Sequence, residues 1–465
     1  MDTHCNSDKL DYKPLFGRRI TAHFDGGDIT SDAGVLLLRE IEEKGRLIAR
    51  LAECFTDHRD ASLVEHSVEE LLRQRIFALA LGYEDLNDHD ELRLDPALAA
   101  AVGKADPTGD ERSRQRDQGK PLAAASTLNR LELSCEHGGA DARYKRFEAD
   151  FAAIENLLVS LWIDHLDEEL DTLIIDADAT DFELHGDQQD KFYHGYYGHY
   201  CYLPLYIFCA DWLVASRLRR ADQDASRGTL RDLEVILEQL RSRRPDVRVI
   251  LRGDSGFARD HIMSWCEQWD VDFVIGLAKN SRLKERITEP MARAKATFDK
   301  TGEAARVFTE FAYETLDSWS RKRRVVAKSE YLCGGENPRF VVTSLDDENA
   351  EAAHLYEDIY CARGDAENRI REQLELFADQ MSSHWTASNQ MRLYLSGMAY
   401  LFICLLRRAA RTVGWEGLRP TTLRLRLLKI GAQVEVSCRR VRLRMASSCP
   451  WQRQFRAVFR QLVAD

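Results

Sequence analysis

The stretch LIIDADATD, Leu173 to Asp181, opens as a buried strand and then sets three aspartates within six positions. A carboxylate buried without a partner costs several kcal/mol or shifts its pKa until it neutralises. Alternate side chains of a strand share a face. Asp176 and Asp178 therefore point one way, and Ile175, Ala177 and Ala179 the other. The apolar face can be buried while the acidic face lines a cleft.

Around this strand the pattern predicts a sheet. HGYYGHYCYLPLYIFCAD reads as a hairpin ending in an apolar strand, and WLVASRLRR as a third strand. GTLRDLEVILEQLRSR is an amphipathic helix, DVRVILRGD a strand, ARDHIMSWCEQW a helix and VDFVIGLA a strand. The order β-β-β-α-β-α-β predicts an α/β fold, a mixed sheet flanked by helices. Residues 281–355 hold Val-, Phe-, Tyr- and Thr-rich runs with polar breaks, which predict a small all-β insertion. Residues 1–165 read as mostly helical, with GKADPTGDERSRQRDQGKPLAAAS (103–126) as a mobile loop or linker. From Leu355 onward the chain reads as helical. The expected division is a helical N-terminal region (1–165), the first part of a catalytic core (166–280), a β-rich insertion (281–355), the remainder of the core (356–400) and a basic helical region (401–465).

The 465 residues are 44% apolar and 31% charged with 10 prolines, a globular composition whose length suggests about three domains. The first residues, MDTHCNSDKLDYK, lack the basic start and apolar run of a signal peptide. The longest apolar run, Leu393–Leu406, has 14 residues, short of the roughly 18 of a membrane span, and predicts a buried core helix. The 11 cysteines form no C-x-x-C pair, which argues against a disulfide framework or a zinc ribbon and for a reducing, cytoplasmic setting. The net charge of −12 is unevenly spread: residues 401–465 hold 14 Arg/Lys against 3 Asp/Glu, a net of +11, which leaves −23 on the first 400. A concentrated basic segment is the footprint of polyanion binding, or else a solvated helical surface.

Two further acids join the strand aspartates. Asp254 follows the strand Val247–Leu251 in VILRGDSGF, at the kind of strand end where open α/β sheets bind ligands. Glu367 lies in YCARGDAENRIREQLELFADQ, one turn before Ile370, beside an expected stripe of Ile370, Leu374, Phe377 and Met381. Three carboxylates suit magnesium or manganese, hard cations that take oxygen ligands. Two such ions can activate an attacking oxygen and stabilise a leaving one on phosphorus. Each acid could equally be a turn or cap residue in a chain with 77 of them.

Taken together, SDAGVLLLRE, RIFALALGYEDLNDHDELR, TLNRLE, DADATDFELHGDQ, GYYGHYCYLPLYIF, RGDSGF and ARGDAENRIREQLELFAD resemble the DDE-type insertion-sequence transposases of group 1, over nearly the whole chain. The resemblance implies a ribonuclease-H-like core with a β-rich insertion before the catalytic Glu. It implies two Mg2+ or Mn2+ ions, cleavage at transposon ends to give 3′-hydroxyls, and strand transfer into target DNA. It places the catalytic acids on Asp178 (with Thr180), Asp254 and Glu367, the last within a signature that begins Tyr360, Arg363, Glu367. The signature's lysine position holds Leu374; Arg371, one turn earlier, could supply the charge. Asp176 is left as a further ligand, a supporting acid or a bystander. Partners implied are transposon-end duplex DNA, bound in part by the N-terminal region, and target DNA, with a dimer in the DNA complex and no membrane; bound to DNA, the chain would sit on a bacterial-type nucleoid.

For DNA contact, Arg363 offers a planar fork for a phosphate, or else a salt bridge to Glu367 or Asp365. Arg252 precedes Asp254 toward the same cleft. Tyr360 and Trp385 offer rings to a displaced base, or core packing. Lys279 and Arg282 follow the strand 271–277, near backbone phosphate. His58, His66 and His89 lack zinc-type spacing and read as structural. Two rivals stand beside this reading. One is a haloacid-dehalogenase-like phosphatase with Asp176 as nucleophile, although GDSGFA puts Ala258 where its second acid belongs. The other is a DNA-binding relative that has lost its chemistry.

Overall fold

The computed structural model describes residues 9–133 and 147–464. The described residues form two compact units: 9–132, 147 and 402–464, and 133 and 148–401.

The second unit is built on one large mixed sheet. Helix α1 (Phe151–Asp164) precedes strands β1 (Thr172–Ala179), β2 (Leu205–Cys209) and β3 (Trp212–Arg217). Helix α2 (Thr229–Arg243), β4 (Arg248–Gly253), α3 (Asp260–Gln268) and β5 (Asp272–Leu277) follow, in the order the sequence predicts. Along the sheet the strands run β3-β2-β1-β4-β5. The first three are antiparallel neighbours, and β1, β4 and β5 are parallel. The apolar runs are buried throughout: Leu173, Ile175, Val249, Leu251, Phe273 and Ile275 are at most 2% exposed.

The segment 281–355 departs from the expected all-β insertion. It opens with two helices, Ser281–Arg286 and α4 (Thr288–Thr301). Helix α4 carries only a narrow apolar face, Met291 and Ala294, and stops at Gly302 with a φ of 72°; so thin a stripe is easily missed by a search for apolar runs. Its strands β6 (Ala305–Tyr313), β7 (Arg323–Leu332) and β8 (Arg339–Thr343) do not form a separate layer. They extend the main sheet in the order β5-β8-β7-β6, with β8 antiparallel to β5. Beyond them the chain turns through Ala352–Arg363 into helix α5 (Gly364–Leu374).

The first unit draws on both ends of the chain, so the basic C-terminal region belongs with the N-terminal one. Its helices include Val35–Gly45, Val68–Leu81, Pro96–Val102 and Gln452–Val463. Helix Val68–Leu81 starts where Ser67 and Glu70 form a reciprocal capping box. Gly34 explains the SDAG turn: a Cβ there would stand 1.8 Å from the Leu427 carbonyl oxygen. The bare backbone lets Ala33 and Gly34 donate to the carbonyls of Ile430 and Leu428. The unit is less helical than expected. Leu10–Leu15 pairs with Arg18–Ala22, and Ala432–Ser437 pairs with Arg440–Met445 and Ile29–Thr30. AQVEVS and RVRLRM alternate with period two, the mark of a half-exposed strand rather than a helix.

The 103–126 segment is ordered rather than mobile. Arg112 bonds Glu65 at 2.6 Å and His66 at 2.9 Å, and Lys104 bonds Glu70 at 3.0 Å. Burial between these cations pushes the His66 pKa down to about 3, so it sits neutral in a structural role. His89 is likewise fully buried, bonded to Gln74.

Helix Thr386–Arg411 contains the long apolar run. It has the length and hydropathy of a membrane span, with 89% of its apolar window buried inside the protein. The cysteines among the described residues are free thiols.

Candidate active site

Parallel pairing sets the geometry. The register of β1 with β4 places Arg252 opposite Asp176 and Gly253 opposite Ala177. Asp254 is the residue beyond that last pair, at the carboxyl end of β4, level with Asp178 near the end of β1. Helix α5 packs on β1 and brings Glu367 to the same place.

Asp178 is 6% exposed. One of its oxygens accepts from the Ala179 backbone N–H at 2.9 Å, and the other accepts from Arg363 Nη1 at 3.1 Å. Arg363 Nη2 donates to Glu367 at 2.8 Å. The same guanidinium feels the charges of Asp178, Tyr360, Glu367 and Asp254, and they hold its proton more firmly despite burial. Burial pushes the Asp178 pKa up to about 6; Arg363 opposes this, while Asp254 and Glu367 add to it. Asp178 and Glu367, far apart in sequence, thus meet on one arginine, and the charge of Asp254 reaches the same guanidinium.

The three acids differ in surroundings. Asp254 caps the short turn Ser255–Phe257 and accepts from Gly256 N at 2.8 Å, leaving its other oxygen uncommitted within its own loop. Glu367 is half exposed and reaches the site from the solvent side. The stripe expected beside it is different in the structure. Helix α5 ends at Leu374 and buries Ala366, Ile370, Glu372 and Gln373. Leu374 is 37% exposed. Phe377 lies beyond the helix with a φ of 66°. Nor does Glu367 stand at an open helix start, because the turns 355–360 and 361–363 run directly into α5.

Arg252 has another role from the one expected, and of the alternatives left for Asp176 its partner fits a supporting acid. Arg252 donates to both Asp176 oxygens, at 2.5 and 2.7 Å, and to the Ile359 carbonyl at 2.5 Å. Both are about 5% exposed. Cross-strand register forces the pairing, and burial on that scale keeps Arg252 from DNA and holds Asp176 in an ion pair inside the sheet. Tyr360 is not an open platform either. It packs in the core cluster with Val274, Val341 and Leu355. Its hydroxyl presses on Gly276, where a Cβ would meet it at 2.4 Å. Gly276 was not singled out in the sequence; the small residue inside VDFVIGLA was its signal. Lys279, Arg371 and Trp385 are exposed, and Arg282 lies over the Tyr313 ring at 5.3 Å.

The donor set suits a hard divalent cation: carboxylate oxygens only, on two paired strands and a helix packed against one of them, with a positive group already among them. Among the described residues no three such side chains form a ready-made cation cage. Arg363 is bonded between two of the acids instead, the stand-in for the charge the site would hold.

The protein-family comparison matches residues 12–464 to the family described as transposase DDE domain group 1. No curated protein matches. Among solved structures 7 chains match. One is a cryo-EM structure of a piggyBac transposase synaptic complex with hairpin DNA, at 10% identity and a TM-score of 0.41, covering 84% of this chain and 79% of that one.

Proposed function

For a chain that belongs to the transposase DDE domain group 1 family, we propose a metal-dependent insertion-sequence transposase that cleaves transposon ends and transfers the resulting 3′-hydroxyls into target DNA. The observation that carries this reading is Arg363 bonded to both Asp178 and Glu367 at the carboxyl end of β1, with Asp254 one residue past the last β1–β4 pair. We read the sheet as ribonuclease-H-like on the strength of its antiparallel meander followed by two parallel strands.

Asp178, Asp254 and Glu367 would hold two Mg2+ or Mn2+ ions, whose chemistry is to activate an attacking oxygen and stabilise a leaving one on phosphorus. Asp178 gives the site its buried charge, and its raised pKa makes a cation the natural replacement for its proton. Glu367, open to solvent, closes the site from the accessible side. With cations held by the carboxylates, Arg363 would be free to offer its planar fork to a phosphate. Exposed Lys279 and Arg371 add phosphate contacts, and the basic 401–465 region adds sequence-independent affinity for duplex DNA. Pairing two transposon ends calls for two copies in the DNA complex, which would act on the nucleoid of a bacterial cytoplasm.

A phosphatase built on Asp176 has no support here, because that carboxylate is buried inside the sheet in a two-bond ion pair with Arg252 and is not open to a substrate. The test is a plasmid carrying the element's own ends, incubated with the chain and Mg2+, alongside Mn2+ titration followed by calorimetry. End cleavage with Mn2+ binding that falls in Asp178→Ala, Asp254→Ala and Glu367→Ala supports the reading. Wild-type rates in any one variant remove that residue from the site.

A further inference from the structure

Between β1 and β2 the chain leaves the main sheet in a small one, in which His199–Tyr202 pairs with Phe182–Glu183 and Phe192–His194. Its rings face water. Phe192 is 43% exposed, Tyr193 52%, Tyr200 50% and, at the tip, Tyr196 86%. Four large aromatic residues open to solvent within nine positions mark a surface that binds something.

The hairpin is rooted in the candidate site. His199 Nε2 lies 2.8 Å from Asp181 Oδ2, three residues past Asp178. The charges of Asp181 and Asp178 both reach the Tyr197 hydroxyl. The base is pinned: Gln189 N donates to the His384 carbonyl at 2.7 Å, Gln188 Nε2 to Met381 O at 2.9 Å, and Tyr202 Oη to Gln189 O at 2.5 Å. Exposed Trp385 therefore neighbours that base. The rings also brace one another: Tyr193 and Tyr200 lie 5.6 Å apart, Tyr196 and Tyr197 5.1 Å, and Tyr197 stacks on His199 at 6.0 Å. Lys191 sits 5.6 Å above the Tyr200 ring and pairs with Asp187.

We propose that this hairpin, led by Tyr196 and Tyr193, is the platform on which a base left unpaired at the reacting DNA end stacks. Every base has a π face, so braced rings next to a phosphodiester-cleaving site accept an unpaired nucleotide whatever its sequence. A paired base offers no free face. Rigid anchoring lowers the ordering cost of the contact. The inference rests on the transposase reading and adds to it where the strand end goes.

The test uses the full chain without divalent cation and two short duplexes of one sequence, one blunt and one with an unpaired overhang carrying 2-aminopurine. Wild type binds the overhang about tenfold more tightly and quenches its fluorescence, as one stacked base would give. Tyr193→Ala/Tyr196→Ala loses preference and quenching but keeps its affinity for the blunt duplex, while Tyr196→Phe keeps all three. Both tyrosines are exposed, so the variants should fold, which circular dichroism checks. Preference and quenching that survive in the double alanine variant overturn the platform, as does a wild type that binds both duplexes equally. A wild type that binds neither duplex overturns the transposase reading as well.

Discussion

Asp176 and Asp178 stand two residues apart on one strand and one face, each with an arginine, and the two pairs are built differently. Arg252 answers Asp176 from the neighbouring strand, meets both oxygens and uses its remaining nitrogen on a backbone carbonyl. Arg363 comes from outside the sheet, gives Asp178 one bond at 3.1 Å and shares itself with Glu367. The first pair satisfies its charges completely and sits inside the sheet. The second holds its aspartate by one backbone N–H and one shared arginine bond, at the carboxyl end of the strand beside half-exposed Glu367. A buried carboxylate with all its partners is part of the scaffold; one with a borrowed partner is available for exchange.

The largest effect expected separates the two aspartates by activity. Asp178→Ala, like Asp254→Ala and Glu367→Ala, should lower end cleavage by about a thousandfold or more while duplex binding holds. Gel shift and plasmid cleavage on the same preparations check this, and an Asp178 variant that cleaves normally breaks the comparison. Next comes stability. Arg252→Ala should cost about 3–5 kcal/mol in urea unfolding, because it leaves a buried carboxylate unpaired. Arg363→Ala should cost much less, since Asp178 already tends toward its neutral form.

The pH dependence is smaller and has a definite sign. Asp178 titrates at about 6 in the folded chain against 3.8 unfolded. Between those values the folded chain holds a proton that the unfolded chain releases, so this group's contribution is complete below 3.8 and is lost as pH rises through 6. Metal-free Asp178→Asn should therefore gain melting temperature over wild type at pH 7 and match it near pH 4. Scanning calorimetry at the two pH values reads the difference. The smallest effect sharpens the same distinction among arginines. Arg440, Arg442 and Arg444 are exposed along one strand, so replacing them by Ser should flatten the salt dependence of DNA binding by about one unit of slope per lost phosphate contact. Closed Arg252, exchanged for Lys, should leave that slope unchanged.

The strands that carry Asp178 and Asp254 could be read from sequence because local pattern was enough to place them: period-two alternation around Asp178, and a turn signal after the strand that leads to Asp254. The strand order around them was visible for the same reason. What the sequence hid was set by distant partners. Arg252 looked like a DNA contact because nothing local says that it faces Asp176 across a parallel register. Tyr360 looked like a platform because its seat on Gly276 joins residues 84 positions apart. Leu374 looked like core because the helix was expected to continue past it. The 432–445 hairpin was legible in its alternation but was masked by arginine-rich, helix-favouring surroundings. The aromatic hairpin was recognised as a hairpin, but the exposure of its rings could not be read from their identities.

The antiparallel seam between β5 and β8 has one more consequence. A variant trimmed of residues 281–355 would keep the three acids, yet it would leave β5 with a bare row of amide and carbonyl groups along the margin of the sheet. Such a shortened protein should precipitate or self-associate before its chemistry could be assayed. The inserted strands thus move the margin of the sheet from β5 to β6, against which α4 packs.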